Sequence, residues 1–312
     1  MRIPNIMYFL AIAGIAILWP NGEAFAQAAS KSGALRFATE VRLLDCDGLP
    51  CVEARIGTGP VLKMSLDTGN VDSVLEASVA EAAGLKASSP MPEGAPAGMM
   101  RTEIPAIRVG EVQLVNVPTI AMSLGQMISQ NQMPHVDGTL AYTAFKNRVL
   151  QIDFAARKVR ISDVLTSSVE CSSACDKISL IKFGNDGPPI VVANGFQING
   201  KGVTAQVDTM YAGSLLVYSH AIERLRLTEA AKTNKSREFP FTDGGVQMKE
   251  APAQEEAFHG LTLSGSAPVV YFPTAEVHEP DGLFDATVGI DLFHEATLTL
   301  NFRDMTILVA KP

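Results

Sequence analysis

The sequence predicts an all-β protein with a few short helices, built as two pseudo-symmetric β-barrel lobes within one chain of 312 residues. Three observations predict it. The chain repeats itself in two motif pairs that align without gaps. Its texture is one of short runs alternating apolar and polar residues between Gly, Pro, Asn and Asp turns. Few segments are long enough for helices, and many closely spaced strands favour closed or nearly closed sheets.

The first repeated motif is KMSLDTGN at 63–70, followed by Ser73, matched by TAQVDTMY at 204–211, followed by Ser214. The second is DGTLAYTAFKNRVLQIDF at 137–154, matched by DATVGIDLFHEATLTLNF at 285–302. Two diverged copies of one unit explain both pairs. The first lobe then covers 34–163 and the second 176–312, joined where Ser, Thr and Cys cluster near 163–176. Strands are expected at Val61–Leu66, Ile104–Val109, Val149–Phe154 and Val159–Ile161. Helical turns are expected at Ala77–Ala83 and Ser219–Leu225, with short helices near Thr143 and Asp291.

Residues 1–26 read as a secretory signal peptide. Arg2 precedes an apolar run from Ile6 to Trp19, Pro20 closes the run, and Ala24-Phe25-Ala26 fits a small-x-small cleavage site. The apolar run is shorter than the ~20 residues that span a bilayer. The mature chain is therefore expected to be free of the membrane, in the periplasm or secreted. In that oxidising compartment Cys46 and Cys51, flanking a turn-like Asp47-Gly48-Leu49-Pro50, and Cys171 and Cys175 read as two local disulfides. Three connectivities are open on paper. A zinc site from all four cysteines is the competing reading, at spacings unlike the usual structural knuckles.

Composition removes several functions. Hydrophobic residues make up 47% and charged residues 19%, the balance of a folded globular chain. With 25 Lys plus Arg against 33 Asp plus Glu, the net charge of -8 lacks the basic surplus a nucleic-acid partner demands. Gly195–Lys201 imitates a phosphate-binding loop, but Gly202 stands where the metal-binding Ser or Thr belongs and a strand follows. His294-Glu295 opens like a zinc-peptidase motif, with no second His one turn later. No G-x-S-x-G nucleophile elbow is present.

The Asp-Thr pairs remain. Asp67-Thr68-Gly69 after an apolar strand, Asp208-Thr209 after another, and the downstream Thr139-Leu140-Ala141 and Thr287-Val288-Gly289 resemble the pepsin and retropepsin superfamily of aspartic peptidases. Within it, the sequence is most similar to bacterial exported proteins with two such units in one chain. The resemblance covers about Leu35 to Val309. It implies two acid-protease-like lobes and an aspartic-type endopeptidase, with Asp67 and Asp208 as catalytic residues. Thr68 and Thr209 would exchange hydrogen bonds between lobes, and Gly69 would let the backbone approach its carboxylate. It implies a peptide or protein substrate, no cofactor and no metal, and a monomer. Pro90–Met100 and Phe239–Gly245 would be flaps over the cleft, with Met99, Met100, Phe239 and Phe241 suited to apolar substrate side chains, although such residues more often serve a core.

The sequence departs from the family at three places. Position 210 is Met instead of Gly, position 70 is Asn, and Ala141 replaces the Gly of the downstream element in the first copy. Met210 makes a positive φ costly and crowds the second half-site. The alternative expectation is a catalytically degenerate protein that binds extended peptides in the interlobe cleft by strand addition.

Overall fold

A computed structural model of the chain describes residues 36–91, 95, 97–124, 136–162, 175–182, 189–211, 213–229, 236–239, 246–252, 256–259, 261–263, 269–273 and 282–311. The expected signal peptide 1–26, most of the expected junction at 163–174, and residues 240–245 of the expected second flap lie outside the described residues. Among the described residues no helix is long and apolar enough to cross a membrane.

The first lobe is a closed barrel of six strands. Leu49–Ile56, Leu62–Asp67, Gly138–Ala141, Ser73–Glu76, Val112–Met122 and Met100–Val109 follow one another, and Met100–Val109 pairs back to Leu49–Ile56 through Arg55↔Arg108 and Ile56↔Ile107. The second lobe repeats the order with Pro189–Ile198, Lys201–Val207, Ala286–Val288, Leu215–Val217, Val269–Pro273 and Val246–Pro252. Both contain the same two parallel contacts, Leu62–Asp67 with Gly138–Ala141 and Ser73–Glu76 with Val112–Met122 in the first lobe, Lys201–Val207 with Ala286–Val288 and Leu215–Val217 with Val269–Pro273 in the second. The strand Leu62–Asp67 alternates apolar and polar residues, yet its polar positions Ser65 and Asp67 are buried as well. In Leu62–Asp67 all residues but Lys63 are buried.

A third set of strands joins the lobes: Phe37–Arg42, Lys158–Ser162, Val149–Asp153, Thr297–Asn301, Thr306–Ala310 and Cys175–Lys182. At its centre Val149–Asp153 runs antiparallel to its own repeat, Thr297–Asn301, with Gln151 opposite Thr299. Those two residues occupy the same position in the two copies, so the pseudo-twofold axis passes between them, and Gln151 Nε2 donates to Thr299 Oγ1 across it (3.0 Å). Leu150, Ile152, Leu298 and Leu300 are fully buried there, and one apolar cluster extends from Leu43 to Val309 through both lobes. The repeat thus becomes a geometric relation through direct pairing of equivalent strands.

The expected elements appear with shifted ends. The strands are Leu62–Asp67, Val149–Asp153 and Lys158–Ser162, and Ile104–Val109 is the latter part of the longer Met100–Val109. α-Helices occupy Ala77–Ala82 and Ser219–Ile222, and 3-10 helices Tyr142–Phe145 and Ile290–Phe293. Met100, expected in a flap, is a strand residue packed on the main core, and Met99 packs on Ile120, Met122 and Leu124. The first flap segment is therefore reduced to the loop between Ala87–Ser89 and Met100–Val109, and the phenylalanine at 241 lies outside the described residues.

A disulfide joins Cys46 to Cys51 across the hairpin turn, where Asp47 and Gly48 both take positive φ. Cys175 is also disulfide-bonded, while Cys171, its expected partner, lies outside the described residues. Closing so short a loop restricts the unfolded chain modestly, so replacing Cys46 and Cys51 together with Ser should cost about 2 kcal/mol, measured by denaturant unfolding with and without reductant. No loss of stability would show that the hairpin holds without its bridge.

Candidate active site

Asp67 ends the strand Leu62–Asp67, and Asp208 follows the strand Lys201–Val207. Each chain then turns back because a parallel neighbour already occupies the space ahead. The loops are pinned to that neighbour from behind. Tyr142 N donates to Asn70 O (3.2 Å) and Thr143 N to Val71 O (3.1 Å); Ile290 N donates to Tyr211 O (3.0 Å) and Gly289 N to Ser214 O (2.9 Å). The downstream elements thus brace the Asp loops.

The threonines meet across the lobe interface. Thr68 N donates to Thr209 Oγ1 (3.1 Å) and Thr209 N to Thr68 Oγ1 (3.2 Å). Each hydroxyl spends its own proton on the opposite strand, Thr68 Oγ1 on Val207 O (2.8 Å) and Thr209 Oγ1 on Leu66 O (2.5 Å). A hydroxyl can accept two bonds and donate one, so this arrangement satisfies both side chains in the dry interior. Thr68 and Thr209 are fully buried.

That exchange brings Asp67 and Asp208 side by side with exposures of 3% and 8%. Asn70 holds Asp67 with its side-chain amide (Nδ2 to Oδ2, 2.7 Å) and its backbone N–H (3.2 Å to Oδ1), and Gly69 adds another backbone N–H. Asp208 receives Met210 N at Oδ1 (2.8 Å) and the backbone N–H of Tyr211. Burial pushes both carboxyls up from their ordinary values, Asp67 to about 7, with further repulsion from Asp208, and Asp208 to about 6. The repulsion belongs to the pair, so the two protons leave in separate steps that describe the dyad rather than either residue.

No protein-family model and no curated protein sequence matches this chain. Among solved structures it is similar to an aspartic proteinase from Irpex lacteus, at 11% identity and a TM-score of 0.51, covering 88% of this chain and 97% of that one. The fold is that of an aspartic proteinase. A basic 7S globulin from soybean is superposed less well, at 9% identity and a TM-score of 0.45, covering 87% of this chain and 93% of that one.

Within the aspartic proteinase fold the three sequence departures find physical reasons. Neither Gly69 nor Met210 adopts a positive φ. What position 69 requires is space: a Cβ there would lie 2.6 Å from Asp208 Cγ. Gly69 thus makes room for the other lobe's carboxyl while its N–H serves its own. The counterpart Met210 sends its side chain across the interface to the first lobe, where Ser65 Oγ donates to Sδ (2.8 Å), while its N–H stays on Asp208. The crowding expected of Met210 therefore falls on Ser65 at the lobe interface, while its N–H still reaches Asp208.

Ala141 and Gly289 differ because the loops behind them differ. A Cβ on Gly289 would strike Gly213 O at 2.2 Å and Tyr211 O at 2.3 Å. In the first copy Ala141 N donates to the Ser73 hydroxyl (3.1 Å), whereas Gly289 N reaches the Ser214 backbone carbonyl directly. In the first copy a serine hydroxyl thus takes the place of the backbone carbonyl that Gly289 meets in the second.

Two residues that sequence reasoning passed over, Ser65 and Gln206, reach the site. Each stands two positions before its aspartate and is buried, at 0% and 2% exposure. The available signal was a polar residue at the same place, two before the aspartate, in both copies of the repeat.

The pair's titration has a consequence for stability. Because the folded values are raised above the unfolded ones, the dyad's contribution is fully present below the ordinary carboxylate range and is lost as pH rises through about 6 to about 7. Asp208→Asn should therefore be more stable than the unaltered protein at pH 8, by on the order of a few kcal/mol, with the difference shrinking toward pH 4. Thermal unfolding across that series checks the sign; equal pH profiles would mean the carboxyls are not raised.

Proposed function

We propose that this protein is an exported aspartic endopeptidase that hydrolyses peptide bonds with a water activated by Asp67 and Asp208. The observation that carries the reading is the placement of two buried, raised carboxyls side by side, one from each copy of the repeat. Over the pH range in which the pair keeps one proton, its charged member removes a proton from the water while its neutral member gives one to the scissile carbonyl oxygen. The resulting tetrahedral diol collapses as the C–N bond breaks, with a proton delivered to the leaving nitrogen. One pair thereby supplies acid and base.

Thr68 and Thr209 hold the two carboxyl-bearing loops together, and Gly69 gives Asp208 its place beside Asp67. The site is complete within one chain, which supports action as a monomer. An extended peptide or protein segment is the substrate, lying between the lobes. The Cys46–Cys51 bridge and the leader-like N-terminus support export to the periplasm or beyond. The alternative of a degenerate peptide-binding protein rested on Met210, whose side chain is directed to Ser65 while its N–H serves Asp208.

Asp67→Asn and Asp208→Asn should each lower hydrolysis of a mixed peptide library by roughly a thousandfold or more, since neither carboxyl performs both proton transfers alone. The unaltered enzyme should show a bell-shaped rate, highest between about pH 6 and about 7. Below that range both groups are protonated and the base is lost; above it both are charged and the acid is lost. Turnover persisting in the double Asn variant would remove the aspartic mechanism.

A further inference from the structure

The residues two positions before the aspartates form a second set of interlobe contacts outside the threonine exchange. Gln206, on the strand Lys201–Val207 of the second lobe, donates from Nε2 to Gly69 O in the first lobe (3.1 Å). A carbonyl only accepts, so this contact fixes which end of the amide faces Gly69. Gln206 Oε1 then points back into its own lobe and accepts from Thr287 Oγ1 (3.1 Å), which lies 3.1 Å from Tyr218 Oη. Tyr218 stacks edge-on against Phe284. Ser65 makes the counterpart contact from the first lobe, to Met210. Equivalent positions thus grip the residue two beyond the opposite aspartate, in both directions.

We propose that Gln206 is a positioning residue for the dyad, anchoring the Gly69 peptide to the core of the opposite lobe through Thr287 and Tyr218. The peptide plane between Gly69 and Asn70 has two duties. Its N–H, that of Asn70, donates to Asp67 Oδ1 (3.2 Å), and the Gly69 Cα at its other end lies so close to Asp208 that a Cβ would collide with that carboxyl. Because a peptide unit is planar, holding the Gly69 carbonyl oxygen sets the orientation of the Asn70 N–H and the spacing of the pair. A buried, fully satisfied network confers this fixed orientation, whereas an apolar side chain of the same length would leave the Gly69 carbonyl without that donor. Each carboxyl faces the other, and their further partners are the Asn70 amide and the backbone N–H groups of Gly69, Asn70, Met210 and Tyr211. The kinetic part of this inference rests on the peptidase reading; the structural part does not.

Gln206→Met keeps the length and removes the donor, and Thr287→Val keeps the shape and removes the hydroxyl that orients Gln206. Carboxyl carbon NMR of the dyad across pH reads the effect without requiring activity. With the Asn70 N–H loosened, the upper step should move up by about half a pH unit or more in Gln206→Met, and by less in the same direction in Thr287→Val. In peptide hydrolysis kcat should fall about tenfold with KM nearly unchanged. A role confined to packing would lower the melting temperature and leave the titration in place. Titrations that superimpose on the unaltered protein's, or move down, overturn the proposal while leaving peptidase activity standing. Shifted titrations in a protein that cleaves no peptide would support the anchor and remove the peptidase reading. Should Gln206→Met fail to fold, Thr287→Val decides.

Discussion

Two threonine hydroxyls, each giving its proton to the other lobe's strand and taking the other threonine's amide proton, fix how the halves of this molecule meet. Everything chemical about the site follows from that exchange. It places two carboxyls in a dry interface where neither would go alone, because an unpaired charge there loses its hydration. The surrounding N–H groups offset part of that loss and the retained proton offsets the rest. The same constraint explains why the pseudo-twofold axis is so well defined: Gln151 with Thr299 and Thr68 with Thr209 are both pairs of equivalent residues touching each other.

Symmetry holds for the backbone and fails at the side chains, and the failures are matched. Asn70 gives Asp67 a side-chain donor, whereas its counterpart Tyr211 contributes a backbone N–H to Asp208. Gly69 yields space to Asp208, whereas Met210 fills space beside Ser65. Each copy therefore surrounds its aspartate differently, and a pair whose members differ in their donors has reason to place its single proton unequally. Duplicated halves that diverge in this way can divide the acid and base tasks between them.

Much of this was legible in the sequence, since short alternating runs between turns mark strands and the gapless repeat shows which runs correspond. The bridge between Cys46 and Cys51 was legible from spacing and a turn between them. Ser65 and Gln206 were not. A polar residue inside a strand reads as ordinary alternation until the opposite lobe supplies its partner, and no local pattern encodes a contact between Gln206 and Gly69, more than a hundred residues apart. The departure at Ala141 was visible but inexplicable, because its reason is the Ser73 hydroxyl standing where the second copy uses a backbone carbonyl. Met210 is compatible with its loop because its φ is not positive; the glycine at the matching position is required for room, and Met210 extends its side chain to Ser65.

The central claim is that Asp67 and Asp208 form one acid-base unit sharing a proton. Carboxyl carbon NMR of the unaltered protein, with the two signals assigned through Asp67→Asn and Asp208→Asn, tests it most directly. The account predicts that both signals respond to the same two steps, both well above the ordinary carboxylate range, and that removing either carboxyl lowers the titration of the other. Two independent single-step titrations near the ordinary value of about 4, each indifferent to the loss of its neighbour, would contradict it.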